Sequence, residues 1–326
     1  MIIGQDRAVE QFASAWATRR LHHAWLLAGP KGVGKASFAH SVARRVLADA
    51  AGPSVDMPGI ETPHDHPIVK LVEAGSHPDM RWLERLPKEK GEGLARDITV
   101  NQVRALGEFM GMTAGLSPWR VAVIDSMDEL NKEASNALLK MLEEPPANTL
   151  FFLISHAAGR LLPTIRSRCR RLDFQGLDDD AMTSILAEQA AQLNGGERQR
   201  IISMSFGSAG RALAFAELDL AKLEDSALAI LRQGDPTNSR RSDLAHELGK
   251  KGAAERYAAF LELAPSLIAR EARQLDGSRQ ERALDAYGKA RELAAIAPRL
   301  SLDPASTVFQ IGGILAEVAR APSLKR

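Results

Sequence analysis

Cysteine is nearly absent from this chain, and other common features are missing as well. The single cysteine, Cys169, excludes an intramolecular disulfide, and no apolar run approaches the ~20 residues that a membrane-spanning helix needs. The N-terminal segment lacks the basic and apolar regions of a signal peptide, and the formal net charge is only +1. We therefore expect a cytoplasmic protein with no membrane partner, whose overall charge gives no sign of nucleic-acid binding.

The most informative feature present is a glycine-rich segment that begins at Gly29. The segment matches the phosphate-binding pattern GxxxxGK[ST] except at its last position, where Ala36 replaces the Ser or Thr. A buried strand is predicted at Ala24–Ala28 before the loop, and a helical pattern follows from Ala36 to Leu47. We therefore predict a phosphate-loop fold without the hydroxyl that ligates Mg²⁺. The predicted phosphate-facing residues are Gly29, Gly32, Gly34 and Lys35.

A second strand, Arg120–Asp125, ends in a carboxylate. In phosphate-loop ATPases an Asp at this position holds the water shell of the metal. The next residue in such ATPases is usually a Glu that polarises the attacking water, but here it is Ser126. Asp128 and Glu129 follow in the predicted turn, and neither occupies the water-activating position. The two losses together argue against efficient ATP hydrolysis.

Further elements of an α/β domain surround these strands. Helices are predicted over 7–20, over Thr99–Met110 and from Asn131 up to the pair Pro145-Pro146. Thr149–Ser155 is predicted to be another buried strand with a polar tip. Ser155 is a candidate γ-phosphate sensor, and a plain strand-end hydroxyl is an equally good interpretation.

Residues 50–97 are rich in glycine and proline, which predicts an insertion on the nucleotide-binding-like domain. Only Ile68–Glu73 and Met80–Leu86 carry strand-like apolar content. Histidines and aspartates occur here without accompanying cysteines, so we favour a segment with no metal site. These side chains are His64, Asp65, His66, His77 and Asp79.

From about residue 174 onward the sequence is almost entirely helical in pattern. Asp178–Leu193 and Glu197–Phe206 are predicted to form a small lid. The later helical segments include Tyr257–Arg270, Arg282–Ala295 and Ala305–Arg320, the last with Asp303 as cap and Pro304 in its first turn. We predict three domains: a nucleotide-binding-like domain at 1–173, the lid at 174–219 and a helical collar at 220–326.

Several motifs, in order along residues 1–215, resemble the AAA+ clamp-loader family of bacterial DNA polymerase III, and most closely its delta prime subunits. The most discriminating motif is the run Asn136–Pro146, which reads Asn-Ala-Leu-Leu-Lys-Met-Leu-Glu-Glu-Pro-Pro. The others are Gly4-Gln5, His22-His23-Ala24, Ser76-His-Pro-Asp79 and Ser167-Arg-Cys169.

The resemblance implies an AAA+ phosphate-loop domain with a parallel sheet, followed by a helical lid and an all-α collar. It implies that Arg168 of the Ser-Arg-Cys motif acts on the ATP of a neighbouring subunit, although a structural arginine in a basic patch is the alternative. Cys169 is expected to be a packing residue. The implied partners are other clamp-loader subunits of the gamma/tau and delta types, and the sliding clamp and primed DNA through the assembled complex.

Delta prime subunits typically lack catalysis of their own, in agreement with Ala36 and Ser126. The resemblance therefore implies a non-catalytic subunit that requires no cofactor and binds ATP weakly or not at all. One alternative is an active ATPase of the gamma/tau motor type. Another is a nucleotide-regulated binding protein outside replication.

Two positions depart from the family pattern. Many members carry a four-cysteine zinc module between the phosphate loop and the Asp strand, and this chain has no cysteine there. In the segment Gly207–Leu213, ATPase relatives place a sensor arginine where Gly210 falls. Arg211 is one residue later, about 100° around a helix, so we assign it no role toward the γ-phosphate.

Overall fold

The computed structural model describes residues 2–88, 93–218 and 221–319. These residues form two compact units. The first extends to Met182 and also takes in Gly207–Gly210, while the second contains Thr183–Phe206 and the chain from Arg211 onward. All of the residues predicted to form the nucleotide-like site therefore belong to the first unit. The three-domain division at 1–173, 174–219 and 220–326 stays a prediction.

A five-stranded sheet with parallel neighbours lies at the centre of the first unit, in the order β2-β3-β4-β1-β5. Ala28 on β1 lies opposite Ser155 on β4, and Asp125 on β3 lies opposite Ile154. The carboxyl ends of these strands therefore meet at one edge, which is where parallel α/β sheets build their sites. The strands are β1 (Ala24–Ala28), β2 (Met80–Leu83), β3 (Arg120–Asp125), β4 (Thr149–Ser155) and β5 (Arg170–Asp173).

The predicted bounds of β1, β3 and β4 are confirmed, because these central strands are apolar along their length and buried on both faces. Side chains alternate between the two faces of the sheet. Trp25 packs on one face with Phe12 and Phe38, and Leu26 packs on the opposite face with Val103 and Leu138. Strand β5 was not predicted, since Leu172 is its single buried residue at the sheet edge.

Side chains that the sequence supplies cap two long helices of the first unit. Thr99 and Gln102 form a capping box, and Asn131 Oδ1 accepts a hydrogen bond from the Ala134 N–H at 2.8 Å. The four helices predicted in this region, including the one that follows the glycine-rich segment, are confirmed to within a few residues. The helices are α1 (Asp6–Ala17), α2 (Lys35–Ala50), α3 (Pro67–Glu73), α4 (Val100–Gly111), α5 (Lys132–Glu143) and α6 (Pro163–Arg166).

Within residues 50–97, the prediction of strand-like structure for Ile68–Glu73 is wrong, because this segment is helix α3. His66 caps the helix through Nδ1, which accepts from the Ile68 N–H at 3.3 Å, and Pro67 occupies the first turn. A short apolar run is compatible with a buried strand as well as with a helix. Here the His66 cap and Pro67 favour the helix. The prediction for Met80–Leu86 is confirmed only for Met80–Leu83.

The rest of this segment is fixed by side chain to backbone bonds. Arg45 Nη1 donates to the carbonyl oxygens of Met57 at 2.7 Å and Glu61 at 2.9 Å, and Ile60 between them is buried. His66 Nε2 lies 3.1 Å from the Pro53 carbonyl oxygen. Contacts from α2 and from His66 therefore help to hold the described part of the insertion, which has no cysteine to build a zinc module.

All of the secondary structure described in the second unit is helical. Two of these helices, Asp179–Gln189 and Ala209–Glu217, begin in the first unit. Glu224 is buried and forms ion pairs with Arg200 and with Arg270, so it ties three helices together. Asp303 caps the last helix as predicted, since its Oδ2 accepts from the Ser306 N–H at 2.7 Å. The helices are α7 (Asp179–Gln189), α8 (Gly195–Ser205), α9 (Ala209–Glu217), α10 (Ala221–Gln233), α11 (Ser239–Leu248), α12 (Ala254–Ala272), α13 (Gly277–Ile296) and α14 (Pro304–Ala319).

The helices predicted for this region are confirmed with shifts of a few residues at their ends, except that Arg320, the predicted end of the last helix, lies outside the described residues. For example, the segment predicted at Asp178–Leu193 is helical over Asp179–Gln189. Across the described ranges, no helix is both long enough and apolar enough to span a bilayer.

Candidate functional site

The glycine loop between β1 and α2 is held by donors that bind its carbonyl oxygens. Lys35, which is almost fully buried, donates from Nζ to the Gly29 oxygen at 2.7 Å and to the Pro30 oxygen. Gln5 Nε2 donates to the Val33 oxygen at 3.0 Å. The lysine predicted to face phosphate thus bonds to its own loop in this structure, and the Gly4-Gln5 motif supports the loop from a distant part of the sequence.

The remaining donors come from Gly207–Gly210, the short segment in which the chain belongs again to the first unit. Ser208 Oγ donates to the Lys31 carbonyl oxygen and the Gly210 N–H donates to the Gly32 carbonyl oxygen, both at 2.9 Å. The backbone carbonyl oxygens of residues 29–33 therefore all accept hydrogen bonds from donors within this protein. The conformation of the loop is fixed by protein contacts.

Two glycines of the loop have conformations that require glycine. Gly32 has φ +78° and Gly34 has φ +98°, in the left-handed region that L side chains rarely adopt. A Cβ atom at Gly32 would lie 2.3 Å from Ser208 Oγ, whereas one at Gly34 would meet open space. Gly32 is needed for close packing as well as for backbone conformation.

The charged side chains at this edge of the sheet share one poorly hydrated environment. Burial lowers the pKa of the Lys35 ammonium to about 8, and the nearby Asp125 and Asp128 carboxylates oppose that shift. Burial likewise raises the pKa of Asp125, with Glu129 and Glu84 adding to the effect and Lys35 opposing it. The structure therefore brings Lys35 and Asp125 together, as the sequence motifs require.

The groups that catalysis needs are missing at both predicted positions. Ala36 is half-buried against the hydrophobic core and has no ligating atom. Ser126 is buried, and within the described residues its Oγ has no hydrogen-bond partner. Glu129 forms an ion pair with Arg85 at 2.8 Å. Ala36 therefore offers no metal ligand, and Ser126 offers no carboxylate at the position where a Glu would polarise water.

Asp128, the remaining carboxylate of the turn, is used to fix the end of β4. It accepts hydrogen bonds from Ser155 Oγ at 3.0 Å, from the His156 N–H at 2.5 Å and from the Ala157 N–H at 3.2 Å. The Ser155 hydroxyl is fully buried and also accepts from the Ala157 N–H at 3.2 Å. These contacts favour the strand-end interpretation of Ser155 over the sensor interpretation.

His156 is a site residue that sequence reasoning missed. Burial, together with the charge of Lys35, lowers the pKa of its imidazole to about 4, and Asp128 opposes that shift. The ring is therefore neutral at physiological pH. The only sequence signal was its position directly after the polar tip of β4.

Arg168 lies two residues beyond the end of α6, and its contacts are with residues outside this cluster. Its Nη2 forms an ion pair with Glu143 Oε1 at 2.8 Å, and its Nη1 donates to the Thr164 carbonyl oxygen at 3.0 Å. The neighbouring Cys169 is half-buried against the hydrophobic core, and burial raises the pKa of its thiol to about 12. A thiol in this state is a packing group, as predicted.

Gly210 stands where ATPase relatives have a sensor arginine, and Arg211 is the next residue. The two residues contact different parts of the protein. Gly210 packs on the loop, since a Cβ there would lie 3.1 Å from the Gly32 Cα atom. Arg211 forms an ion pair with Glu262 at 3.2 Å within the second unit. The structure thus gives Arg211 a partner other than the glycine loop.

Asp79 and His77 of the insertion have structural partners of their own. Asp79 accepts N–H bonds from Gly115, Leu116 and Ser117 at 2.6, 2.7 and 2.8 Å. His77 Nδ1 accepts from the Asp79 N–H at 3.1 Å. Among the residues that the structure describes, no group of three or more His, Cys, Asp or Glu side chains is arranged to hold a metal.

The fold and the site define a class of protein. The parallel order β2-β3-β4-β1-β5, with a glycine loop after β1 and a strand-end Asp on β3, is that of an AAA+ phosphate-loop domain, here accompanied by a helical unit. The family described as "DNA polymerase III, delta subunit" matches residues 4–178, which is more than half of the chain. The chain belongs to this family.

Individual relatives agree with this assignment and confirm the predicted resemblance to delta prime subunits. The chain is 41% identical over 150 residues to DNA polymerase III subunit delta' of Pseudomonas aeruginosa, covering 45% of this chain and 41% of that subunit. It is 28% identical over 242 residues to the delta' subunit of Escherichia coli, covering 72% and 67% of the two chains. Identity to the tau subunit of Bacillus subtilis is 28% over 272 residues, or 80% of this chain and 45% of that one. The matches thus span less than half of the Pseudomonas and Bacillus proteins.

Proposed function

We propose that this chain is a delta prime clamp-loader subunit that acts as a stator, does not hydrolyse ATP itself and supplies Arg168 to the ATP of a neighbouring subunit. The observation that carries the proposal is a complete phosphate-loop fold that holds Ala36 and Ser126 where catalysis needs a hydroxyl and a carboxylate. Because one group positions the metal and the other the water, losing both removes the chemistry and leaves the fold.

The residues present do not fit a hydrolysable Mg²⁺–nucleotide. Ala36 provides no metal ligand, the Lys35 ammonium bonds to the loop carbonyls, and Gly210 occupies the position of the sensor arginine in close contact with Gly32. We therefore propose that the chain requires no cofactor and that ATP binding at its own loop is weak or absent.

The proposed partners follow from the family and from charge. We propose assembly with gamma/tau and delta subunits in the cytoplasm, and contact with the sliding clamp and primed DNA through the assembled complex. DNA contact would be through backbone phosphates. Since the net charge is only +1, we expect the isolated chain to bind DNA poorly.

The role of Arg168 is tested with Arg168→Ala in the complex reconstituted with the gamma/tau and delta subunits. An arginine acting on a neighbour's ATP contributes about 10³-fold or more in rate, so we expect the hydrolysis phase of the adjacent site to slow by that order in pre-steady-state measurements. The matched control is Arg166→Ala, which removes an exposed arginine of the same basic patch and should leave every phase unchanged. Unaltered kinetics in the Arg168 variant, with assembly intact, would remove Arg168 from the mechanism.

A motor-type ATPase is the second candidate, because identity to the Bacillus tau subunit extends over 80% of this chain. The discriminating measurement is ATP turnover by the isolated chain. Robust Mg²⁺-dependent hydrolysis would favour the motor interpretation and overturn the stator proposal, whereas turnover at the level of the buffer blank would support it.

A further inference from the structure

The contact between Arg168 and Glu143 joins two motifs that are separate in the sequence. Glu143 is the last residue of α5, in the run that ends at Pro146, and Arg168 follows α6 in the Ser-Arg-Cys motif. Their ion pair, Nη2 to Oε1 at 2.8 Å, links side chains of the two motifs, and a second nitrogen of Arg168 donates to the Thr164 carbonyl oxygen at 3.0 Å.

These two bonds fix the plane of the guanidinium group. An arginine has five N–H donors in a rigid fork, and bonds from two different terminal nitrogens define the orientation of that fork. The Arg168 side chain is 35% exposed, so its remaining donors stay accessible to a ligand outside the chain. A long side chain that is already oriented loses less conformational freedom when it engages a phosphate.

We propose that Glu143 is a positioning residue that orients Arg168 toward the ATP of the neighbouring subunit. The proposal rests on the function proposed above for Arg168 and adds a residue that does not itself touch the nucleotide. A carboxylate at the C-terminal end of a helix is unfavourable for the helix dipole, so α5 itself gains nothing from a charge at Glu143. The partner that favours the charge is Arg168.

The stability of the fold does not depend on this ion pair, which makes the proposal testable by substitution. Both side chains are substantially exposed, at 35% for Arg168 and 47% for Glu143, and exposed pairs contribute little to folding. Glu143→Gln keeps the size and the helical propensity of the side chain while removing its charge. We therefore expect the variant to fold and assemble normally.

The matched control is Glu144→Gln. Glu144 is the next residue, is also exposed, and forms no ion pair within the described part of the chain. The two variants have the same change in charge at the same helix end. A difference between them therefore reports on the contact with Arg168.

The experiment uses the reconstituted complex and compares Glu143→Gln, Glu144→Gln, Arg168→Ala and the double variant Glu143→Gln/Arg168→Ala. We expect Glu143→Gln to lower kcat for ATP about threefold to fivefold at the adjacent site with KM unchanged, which is the scale of an exposed ion pair. Glu144→Gln should match the wild type. The double variant should equal Arg168→Ala alone, because Glu143 acts only through the arginine.

The outcomes separate this inference from the function on which it rests. If Arg168→Ala slows hydrolysis and Glu143→Gln matches Glu144→Gln, the positioning role is wrong and the finger proposal stands. An increase in kcat for Glu143→Gln would also overturn the positioning role, because it would mean that the carboxylate restrains the arginine. If Arg168→Ala has no effect, both proposals fail.

Discussion

Replacing Asp79 by Asn tests how one buried carboxylate holds the start of the sheet. Asp79 is buried directly before β2, and its two oxygens accept three N–H bonds from the turn Gly115–Ser117 that leads to β3. Its backbone oxygen also accepts from the Val121 N–H at 2.9 Å. The side chain therefore sets the geometry with which β2 and β3 begin to pair.

The expected loss of stability follows from these contacts. Asn retains one acceptor oxygen, and its NH₂ group faces N–H donors, so at least one charge-assisted bond is lost and a buried N–H is left unpaired. Such a loss costs about 2–4 kcal/mol of unfolding free energy. In a unit of this size that corresponds to a decrease in Tm of about 10 °C.

Tryptophan fluorescence during urea unfolding is a suitable assay, because all four tryptophans lie in the first unit. They are Trp16, Trp25, Trp82 and Trp119. The control is Asp65→Asn, which changes an exposed aspartate in the same insertion and should leave the midpoint unchanged. A loss below about 1 kcal/mol for Asp79→Asn would refute the reasoning, since it would mean that the three bonds contribute no more than neutral ones.

The same carboxylate predicts a dependence on pH. Burial by itself raises the pKa of Asp79, but the N–H bonds from Gly115, Ser117 and Leu116 outweigh it, so the net pKa lies below the ordinary value of 3.8. Stability from the ionised form is therefore present above that value and is lost as pH falls through the lowered pKa. The difference between wild type and Asp79→Asn should shrink in acid, and a difference that stayed constant down to pH 2 would contradict the assignment.

The remaining predictions concern the glycine loop and the cysteine. Gly32→Ala should reduce the unfolding free energy more than Gly34→Ala by roughly 1–2 kcal/mol in the same urea assay, because both have positive φ but only Gly32 lacks room for a Cβ. Equal losses would show that the contact with Ser208 relaxes freely. The Cys169 thiol should react with an aromatic disulfide at pH 8 at least about 100-fold more slowly in the native chain than in urea, because its pKa is about 12. Similar rates in both states would contradict the burial of the thiol.

The sequence predicted the central elements well, because their signals are local. Strands β1, β3 and β4 are uninterrupted apolar runs bounded by turns, and Asp303 with Pro304 marked the start of α14. The error at Ile68–Glu73 arose where a run of six residues suits either a strand or a helix. The spacing of the apolar residues alone could not show that the cap at His66 favours a helix over a strand in this run.

Contacts between distant residues were beyond sequence reasoning. The motif spacing identified Lys35 and Asp125 as members of one site, yet nothing in it pairs Glu143 with Arg168 or Asp128 with Ser155. Likewise, Gly210 could be recognised as a departure from a pattern, but not as a residue that packs on Gly32. Such pairings depend on how the finished fold places its loops.

The hydrogen bonds to the carbonyl oxygens of the glycine loop have a consequence for how such motifs evolve. Donors come from Gln5, from Lys35 and from the Ser208–Gly210 segment, so the loop joins the beginning of the chain to a segment about two hundred residues later. A substitution that spoils the loop would loosen all three connections at once. Selection for folding alone can therefore preserve Gly32 and Lys35 independently of any chemistry at the loop, so the presence of this signature does not by itself imply that nucleotide is used.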